Sequence, residues 1–448
     1  MGADTVRTPS ADGAGELRRE QRGWYFYDWA CSVYSTSVLT VFLGPYLTSV
    51  AEAAADADGY VHPLGIPVRA GAFFPYAVSL SVIVAVLAMP LVGAAADRTG
   101  RKKPLLAAAA YLGATATAAM FFLDGDRYLL GGALLVVANA AQSVATMLYN
   151  SYLPQIAPPE QRDAVSSRGW AFGYAAGSLV LVVHLVLYTG HDGFGVSEST
   201  AVRICLASAG LWWGAFALIP LRRLRDRRTT ARETALPGFR QLAATVRDMR
   251  RHPLTLTFLL AYLVYNDGIQ TVISQASVYG SEELGLGQST LIGAVLLVQV
   301  LAVAGALTMG RLARTYGAKR TILGSLVAWT LTLTAGYFLP AGAPVWFFAL
   351  AAGIGLVLGG SQALSRSLFS HLVPPGKEAE YFSAYEVSDR GMSWLGPLLF
   401  GVTYQLTGSY RDAIISLVAF FVIGFALLAR VPVRRAIAES GNPVPDRI

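Results

Sequence analysis

The chain has 448 residues with 35 basic and 28 acidic side chains, a net charge of +7, and it is 54% hydrophobic but only 14% charged. With a mean hydropathy of +0.48 it has too little polar surface for a soluble globule, whose charged fraction is roughly 25%. An aromatic content of 11% excludes disorder, and only two cysteines, Cys31 and Cys205, both in apolar stretches, exclude a disulfide scaffold.

The composition is that of an integral membrane protein. Its positive charge is not a nucleic-acid footprint, because the basic residues fall in short gaps between apolar runs. Met1 to Gly23 is polar with no apolar core, so translocation is expected to begin with an uncleaved first helix.

A bilayer core about 30 Å thick needs roughly 20 apolar residues per helix. Twelve stretches meet that need. The first six are expected near Trp24 to Thr48, Ala72 to Ala95, Pro104 to Leu123, Tyr128 to Ser151, Arg168 to Thr189 and Ala201 to Leu221. The second six are expected near Leu254 to Ala276, Ser289 to Gly310, Thr321 to Leu339, Pro344 to Ser370, Phe382 to Thr407 and Asp412 to Leu428.

With both ends on one side, the loops and tails of that side hold 28 Lys plus Arg, and the opposite loops hold only Arg69, Arg127 and Arg411. This asymmetry predicts that both termini are cytoplasmic.

The resulting organisation is a tail over 1–23, a six-helix bundle over 24–221, a basic linker over 222–253, a second bundle over 254–430 and a tail over 431–448. In the linker, Phe239, Leu242, Val246 and Met249 recur at helical spacing opposite Arg240, Arg247 and Arg250. The pattern fits an amphipathic helix on an anionic leaflet and equally a solvated basic linker.

Two landmarks repeat. Gly93-Ala-Ala-Ala-Asp97-Arg98-Thr-Gly100-Arg101-Lys102-Lys103 follows the second span, and Gly310-Arg-Leu-Ala-Arg314-Thr-Tyr-Gly317-Ala-Lys319-Arg320 follows the eighth, at an offset of 310 − 93 = 217. Pro158-Pro159 and Pro374-Pro375 follow the fourth and tenth spans at an offset of 374 − 158 = 216. The chain is therefore expected to be all-α, with twelve membrane helices in two parallel, pseudo-symmetric halves, a construction used by secondary transporters.

Gly93 to Lys103 resembles the loop signature of the major facilitator superfamily. The resemblance implies a gating loop of Gly93, Asp97, Arg98, Gly100 and Arg101, with Asp97 against the positive N-terminus of another helix and Arg98 and Arg101 beside it. The second copy departs from the pattern, since Arg314 stands where Asp97 does.

Tyr27-Asp28-Trp29-Ala30-Cys31-Ser32, Tyr149-Asn150-Ser151-Tyr152-Leu153-Pro154, Ser167-Arg168-Gly169-Trp170-Ala171, Tyr265-Asn266-Asp267-Gly268 and Ser393-Trp394-Leu395-Gly396-Pro397 resemble the vacuolar amino-acid effluxers, the autophagy-related permeases, and their bacterial members. Cys31 departs from that family's Asn. The resemblance implies export of small amino acids or similar solutes, and a bacterial plasma membrane is favoured over a vacuolar one.

Ionisable and amide side chains within spans are costly and mark a pathway or a partner. Asp267, near mid-depth and flanked by Asn266 and Gln270, is the expected proton-coupling acid, its alternative being permanent pairing with an Arg. Arg390 is expected to grip a carboxylate or to pair with Glu386 one turn away. Asn139, Gln142 and Gln299 are candidate cavity residues or interhelical hydrogen-bonding groups.

His184 reads as a proton relay or a packing residue. Asp28, Arg168 and Arg366 lie near cytoplasmic ends, where gating pairs and snorkelling are both cheap. Trp394-Leu395-Gly396-Pro397 reads as a helix break.

No phosphate loop, nucleophile elbow or metal-ligand cluster is present, so neither an enzyme nor a bound cofactor is implied. The expected partners are a small-molecule substrate, the lipid bilayer and protons, with the chain acting as a monomer and no nucleic acid bound. The rival readings are an uncoupled facilitator, an efflux pump for another solute, and a non-transporting nutrient receptor. For the last, residues 431–448 are too short to form an effector domain.

Overall fold

A computed structural model describes residues 11–227, 247–392, 395–445 and 447–448. The chain is almost wholly helical. Helix α1 runs through Ala11–Val33, a π-helical stretch Tyr34–Phe42 and Leu43–Ala53. It is followed by α2 (Ala70–Thr99), α3 (Lys102–Ala119), α4 (Tyr128–Asn150), α5 (Arg162–Thr189) and α6 (Glu198–Arg223).

The second half repeats the order with α7 (Pro253–Val278), α8 (Gln288–Tyr316), α9 (Ala318–Tyr337) and α10 (Pro344–His371). Helix α11 is described over Glu378–Met392 and Leu395–Thr407, and α12 comprises Tyr410–Ser416 and Val418–Arg430. A two-stranded hairpin, β1 (Tyr60–Val61) with β2 (Val68–Arg69), closes the connection between α1 and α2.

Ten helices among the described residues are long and apolar enough to cross a membrane. The other two expected spans are α9 and α11. The part of α11 over Glu378–Met392 carries Glu378, Glu380, Glu386 and Asp389, of which Glu378 and Glu386 are buried in the protein. The break expected at Trp394-Leu395-Gly396-Pro397 falls at Ser393 and Trp394, which lie outside the described residues.

Lipid-facing stripes show the amphipathic logic reversed. On α2, Leu80, Ile83, Val84, Leu87 and Leu91 are exposed at helical spacing, while Ala77, Ser81, Ala85 and Met89 are buried. The core holds the large rings, among them Trp24, Trp213 and Trp329.

Helix α1 packs on α5 and α6, α4 on α2 and α3, α8 and α9 on α10, and α12 on α7. The halves meet where α5 packs on α8 and α10, and where α11 packs on α2 and α4.

Helices start earlier than hydropathy suggests. Residues 11–23, expected as a tail, extend α1 as helix because they are polar but helix-compatible. Their Glu16 and Glu20 hold Arg225 and Arg227 beyond α6.

The C-terminal segment is also anchored, since Asn442 donates to the carbonyls of His371 and Val373. Both ends of the described chain therefore lie on one face, called the terminal face below. Of the expected linker helix, Phe239, Arg240, Leu242 and Val246 lie outside the described residues. Met249 is buried, and Asp248 accepts from Lys377 Nζ at 2.6 Å and Tyr381 Oη at 3.0 Å.

Candidate transport pathway and its closed face

Helix α1 presents Asp28, Ser32 and Thr36 at intervals of four, and α5 meets them with Gly169, Gly173 and Gly177. A β-carbon at these glycines would stand 2.7 Å from Asp28 Oδ2, 2.5 Å from Ser32 Oγ and 2.7 Å from Thr36 Oγ1 respectively. Only hydrogen fits there, so small residues at every fourth position bring a polar helix face close to its neighbour.

This face opens on a cavity of about 330 Å³ lined by Asp28 and Ser35 of α1, Asn139, Gln142 and Asn150 of α4, Gln270 of α7, Gln362 and Arg366 of α10, and Glu386 and Asp389 of α11. The π-helical stretch of α1 contributes Ser35, Thr36 and Leu39, a departure from α-helical register of the kind common at functional sites. Ser35, Thr36, Tyr174, Gln270 and Gln362 also line a more apolar chamber of about 660 Å³. That chamber reaches Tyr279, Leu291 and Phe347, at the helix ends away from the terminal face.

Among the described residues, Arg366 is the cation lining the smaller cavity, beside the carboxyl groups of Asp28, Glu386 and Asp389. Its side chain is 4% exposed and fully engaged. Nε donates to Ser166 Oγ at 2.9 Å, Nη2 to the Ser166 carbonyl at 2.9 Å, and Nη1 to Asn150 Oδ1 at 3.1 Å and Asp28 Oδ2 at 3.4 Å. The guanidinium also lies over the rings of Trp24 at 4.7 Å, Trp170 at 5.4 Å and Tyr149 at 5.6 Å.

Tyr149 Oη donates to Asp28 Oδ2 at 2.6 Å, and Asn150 Nδ2 to Glu386 Oε1 at 3.0 Å. A single network therefore joins α1, α4 and α5 of the first half to α10 and α11 of the second. Of the two readings open for Arg366 and Asp28, pairing is what the structure has, and Arg366 does not snorkel.

The amides are also in use. Asn139 Nδ2 donates to Ser81 Oγ at 2.6 Å, Gln142 Nε2 to Ser35 Oγ at 3.4 Å, and Gln299 Nε2 on α8 to Thr36 Oγ1 on α1 at 3.1 Å. Asn266 Nδ2 donates to Asp389 Oδ1, joining α7 to α11. His184 is a satisfied packing residue, 2.5 Å from Ser37 Oγ and 2.9 Å from Ser208 Oγ.

Asp267 is buried but lines neither chamber. Its Oδ2 accepts the Gly396 N–H at 2.8 Å, so the carboxyl ties α7 to the backbone of α11. A β-carbon at Gly396 would lie 1.9 Å from Thr271 Oγ1, which shows how closely α7 and α11 touch. The expected carboxylate grip of the Arg390 side chain, and its alternative pairing with Glu386, lie outside the described residues.

On the terminal side the halves are held together. Gly93 lets α2 lie against α11, for a β-carbon there would stand 3.0 Å from the Ala379 carbonyl oxygen. One turn on, Asp97 Oδ2 accepts the Glu380 N–H at 2.9 Å in the first turn of α11. Lys102 Nζ lies 3.3 Å from Asp97 Oδ1 and 3.1 Å from Glu378 Oε2.

Lys102, not Arg98 or Arg101, is thus the basic neighbour of Asp97, and the expectation for those two arginines is corrected. Helix α2 ends at Thr99, Gly100 turns the chain at φ +62°, and α3 starts with Lys102 aimed inward, leaving Arg98 and Arg101 exposed. At the other crossing Gly310 packs on Ser167, while Arg314 is exposed. Nearby, Arg162 Nη1 donates to the Ser370 carbonyl at 2.8 Å and Ser166 Oγ to the Ala363 carbonyl at 2.7 Å.

Sequence reasoning missed Lys102 with Glu378, the bridging role of Asn150, and the glycine stripe of α5. The four-residue spacing of Gly169, Gly173 and Gly177 was a usable signal for the last. The other two depend on the packing of distant helices.

The family model described as "Vacuole effluxer Atg22 like" matches residues 16–441. An uncharacterized MFS-type transporter of Bacillus subtilis, YxiO, is 30% identical, with 95% of this chain and 98% of that protein covered. Autophagy-related protein 22 of Pyricularia oryzae is 26% identical over 88% of this chain and 73% of its own length.

Among solved structures, the E. coli fucose:proton symporter FucP aligns with a TM-score of 0.68 at 13% identity, over 92% of this chain and 97% of that one. The proton:xylose symporter XylE aligns with a TM-score of 0.65 at 14% identity, over 94% and 96%. These structural likenesses establish the all-α fold of the major facilitator superfamily. With the family match over nearly the whole length, the chain belongs to the Atg22-like family of major facilitator superfamily transporters.

Proposed function

We propose that the chain exports a small solute bearing an amino group, an amino acid being the first choice, by alternating access with protons as the counter-ion. The observation that carries this reading is the cavity of about 330 Å³ between the two halves, whose described lining combines Asp28, Arg366, Glu386 and Asp389 with amide side chains. Such a lining suits a small polar solute with an amino group, and Asn139, Gln142, Gln270 and Gln362 offer neutral donors and acceptors for the rest of the molecule. The description of the family as vacuole effluxers supports the direction.

The split of 28 basic residues against three supports a cytoplasmic terminal face. The cross-half contacts at that face, and the wider chamber at the opposite end, support an outward-facing form. Asp97, with Lys102 and Glu378, serves as the latch of that form, and Gly93 and Gly100 shape it. The pathway is complete within one chain, which suits a monomer in a bacterial plasma membrane.

Asp28 is the first candidate for the coupling proton, because it faces the cavity and also holds Arg366 across the halves. A proton arriving from outside neutralises Asp28, removes the charge partner of Arg366 and favours opening of the terminal face. Glu386 acts with it through Asn150. Asp267 serves as a positioning acid for α11.

The experiment is counterflow in proteoliposomes with single radiolabelled amino acids, paired with thermal unfolding of the purified protein in each solute. A solute that both exchanges and raises the unfolding midpoint supports the reading. Failure of every amino acid in both assays would contradict it, and stabilisation without flux would favour a receptor.

A further inference from the structure

A second polar pocket, of about 460 Å³, lies on the terminal face apart from the transport cavity. Four arginines line it: Arg18 and Arg22 of α1, Arg168 of α5 and Arg314 of α8. One carboxylate, Glu160, faces them. None of the four is in a salt bridge among the described residues, and the nearby acids of α1, Glu16 and Glu20, are taken by Arg225 and Arg227. Four guanidinium groups gathered against one carboxylate repel one another and make a strong field for an anion.

Two further observations point to a ligand. Tyr25 lines the same pocket, is 6% exposed, and puts its hydroxyl against Arg168, adding a polar group to the arginine cluster. Arg314 also occupies the position in the second loop that Asp97 holds in the first. At the α2–α11 crossing the anion is built in. At the α8–α5 crossing the repeat supplies a cation instead, Arg314, which adds to the arginines of the pocket.

We propose that this pocket binds a phosphate-bearing anion, gripped by Arg22, Arg168 and Arg314, which bridges the two halves and favours the closed terminal face. Arginine suits this task because its planar fork matches phosphate oxygens in pairs. The ligand is either the headgroup of an anionic phospholipid or a free phosphorylated solute, which share the recognising chemistry. Helices α1 and α5 belong to the first half and α8 to the second, so the occupied pocket is lost when the halves part at this face. The effect on closure rests on the transport reading above, whereas binding does not.

The test uses the full chain in two arms. In detergent, inorganic pyrophosphate is compared with sodium chloride at equal ionic strength. In vesicles, phosphatidylcholine alone is compared with phosphatidylcholine containing phosphatidylglycerol. Both arms read the thermal unfolding midpoint of the wild type, of Arg22→Gln/Arg168→Gln/Arg314→Gln, and of the triple Lys variant.

The expected result is a midpoint raised by several degrees in the wild type, lost in the Gln variant and partly kept in the Lys variant. A shift in the phosphatidylglycerol arm alone assigns the site to a lipid headgroup, and a shift with pyrophosphate as well assigns it to a free anion. No shift in either arm, or equal shifts in wild type and Gln variant, would overturn the proposal. Thiol labelling of Ser383→Cys, in a background with Cys31 and Cys205 replaced by Ser, then reads closure. Slower labelling with ligand supports the bridging role, and unchanged labelling beside an intact midpoint shift overturns that role alone.

Discussion

Asp28 on α1 and Arg366 on α10 meet at 3.4 Å across the two halves, with the guanidinium side chain 4% exposed. A charge so deeply buried is tolerable only with partners, and removing one side of a buried pair costs about 3–5 kcal/mol. Arg366→Gln should therefore lower the unfolding midpoint and abolish counterflow. Arg366→Lys should keep part of the stability but little transport, because one ammonium cannot reach Ser166, Asn150 and Asp28 together. Thermal scans beside counterflow check both variants.

Gly169 permits that pair to exist. A β-carbon there stands 2.7 Å from Asp28 Oδ2 and 3.1 Å from Arg366 Nη2, and overpacking of this kind costs about 1–3 kcal/mol. Gly169→Val should insert in the membrane, unfold at lower temperature and transport poorly. Gly193→Val is the control, since nothing lies within 4 Å of the corresponding β-carbon. Equal behaviour of the two variants would remove the steric argument.

Asp97 faces the first turn of α11 through the Glu380 N–H, with Lys102 beside it. Asp97→Asn keeps the shape but loses the charge against a helix N-terminus, worth about 0.3–2 kcal/mol, and the attraction of Lys102. Labelling of a cysteine at Ser383, behind Gly93, should become several-fold faster and transport several-fold slower. Unchanged labelling would leave Asp97 as an ordinary loop acid.

Asp267 separates two roles. With its carboxylate on the Gly396 N–H, Asp267→Asn should cost about 1–2 kcal/mol and raise hydrogen exchange over Leu395–Thr407 of α11, while gradient-driven transport persists at a reduced rate. Loss of gradient response with exchange unchanged would return the coupling proton to Asp267.

The helix positions were legible because a lipid-facing stretch must be apolar, and the repeat at Gly93 and Gly310 exposed the two halves. Hydropathy was silent where helices leave the bilayer. Residues 11–23 and 162–167 continue α1 and α5 through polar sequence. It was weakest at α11, which buries Glu378 and Glu386 inside the protein.

Within the site, the Gly93 motif drew attention to Asp97, but the choice of Lys102 over Arg98 and Arg101 depends on where Gly100 turns the chain. Depth along a helix singled out Asp267 without saying which way it faces. Arg366 looked peripheral by its place near the end of α10, because Trp24, Tyr149, Trp170 and Asn150, which enclose it, come from three other helices.

The most direct test compares wild type, Asp28→Asn and Asp28→Glu in proteoliposomes, measuring amino-acid accumulation driven by a pH gradient and, separately, counterflow without one. Asp28→Asn mimics the protonated acid. It should still exchange substrate in counterflow but accumulate none in response to the gradient, while Asp28→Glu keeps partial accumulation. Accumulation by Asp28→Asn equal to that of the wild type would contradict the assignment of the coupling proton to the pair that joins the two halves.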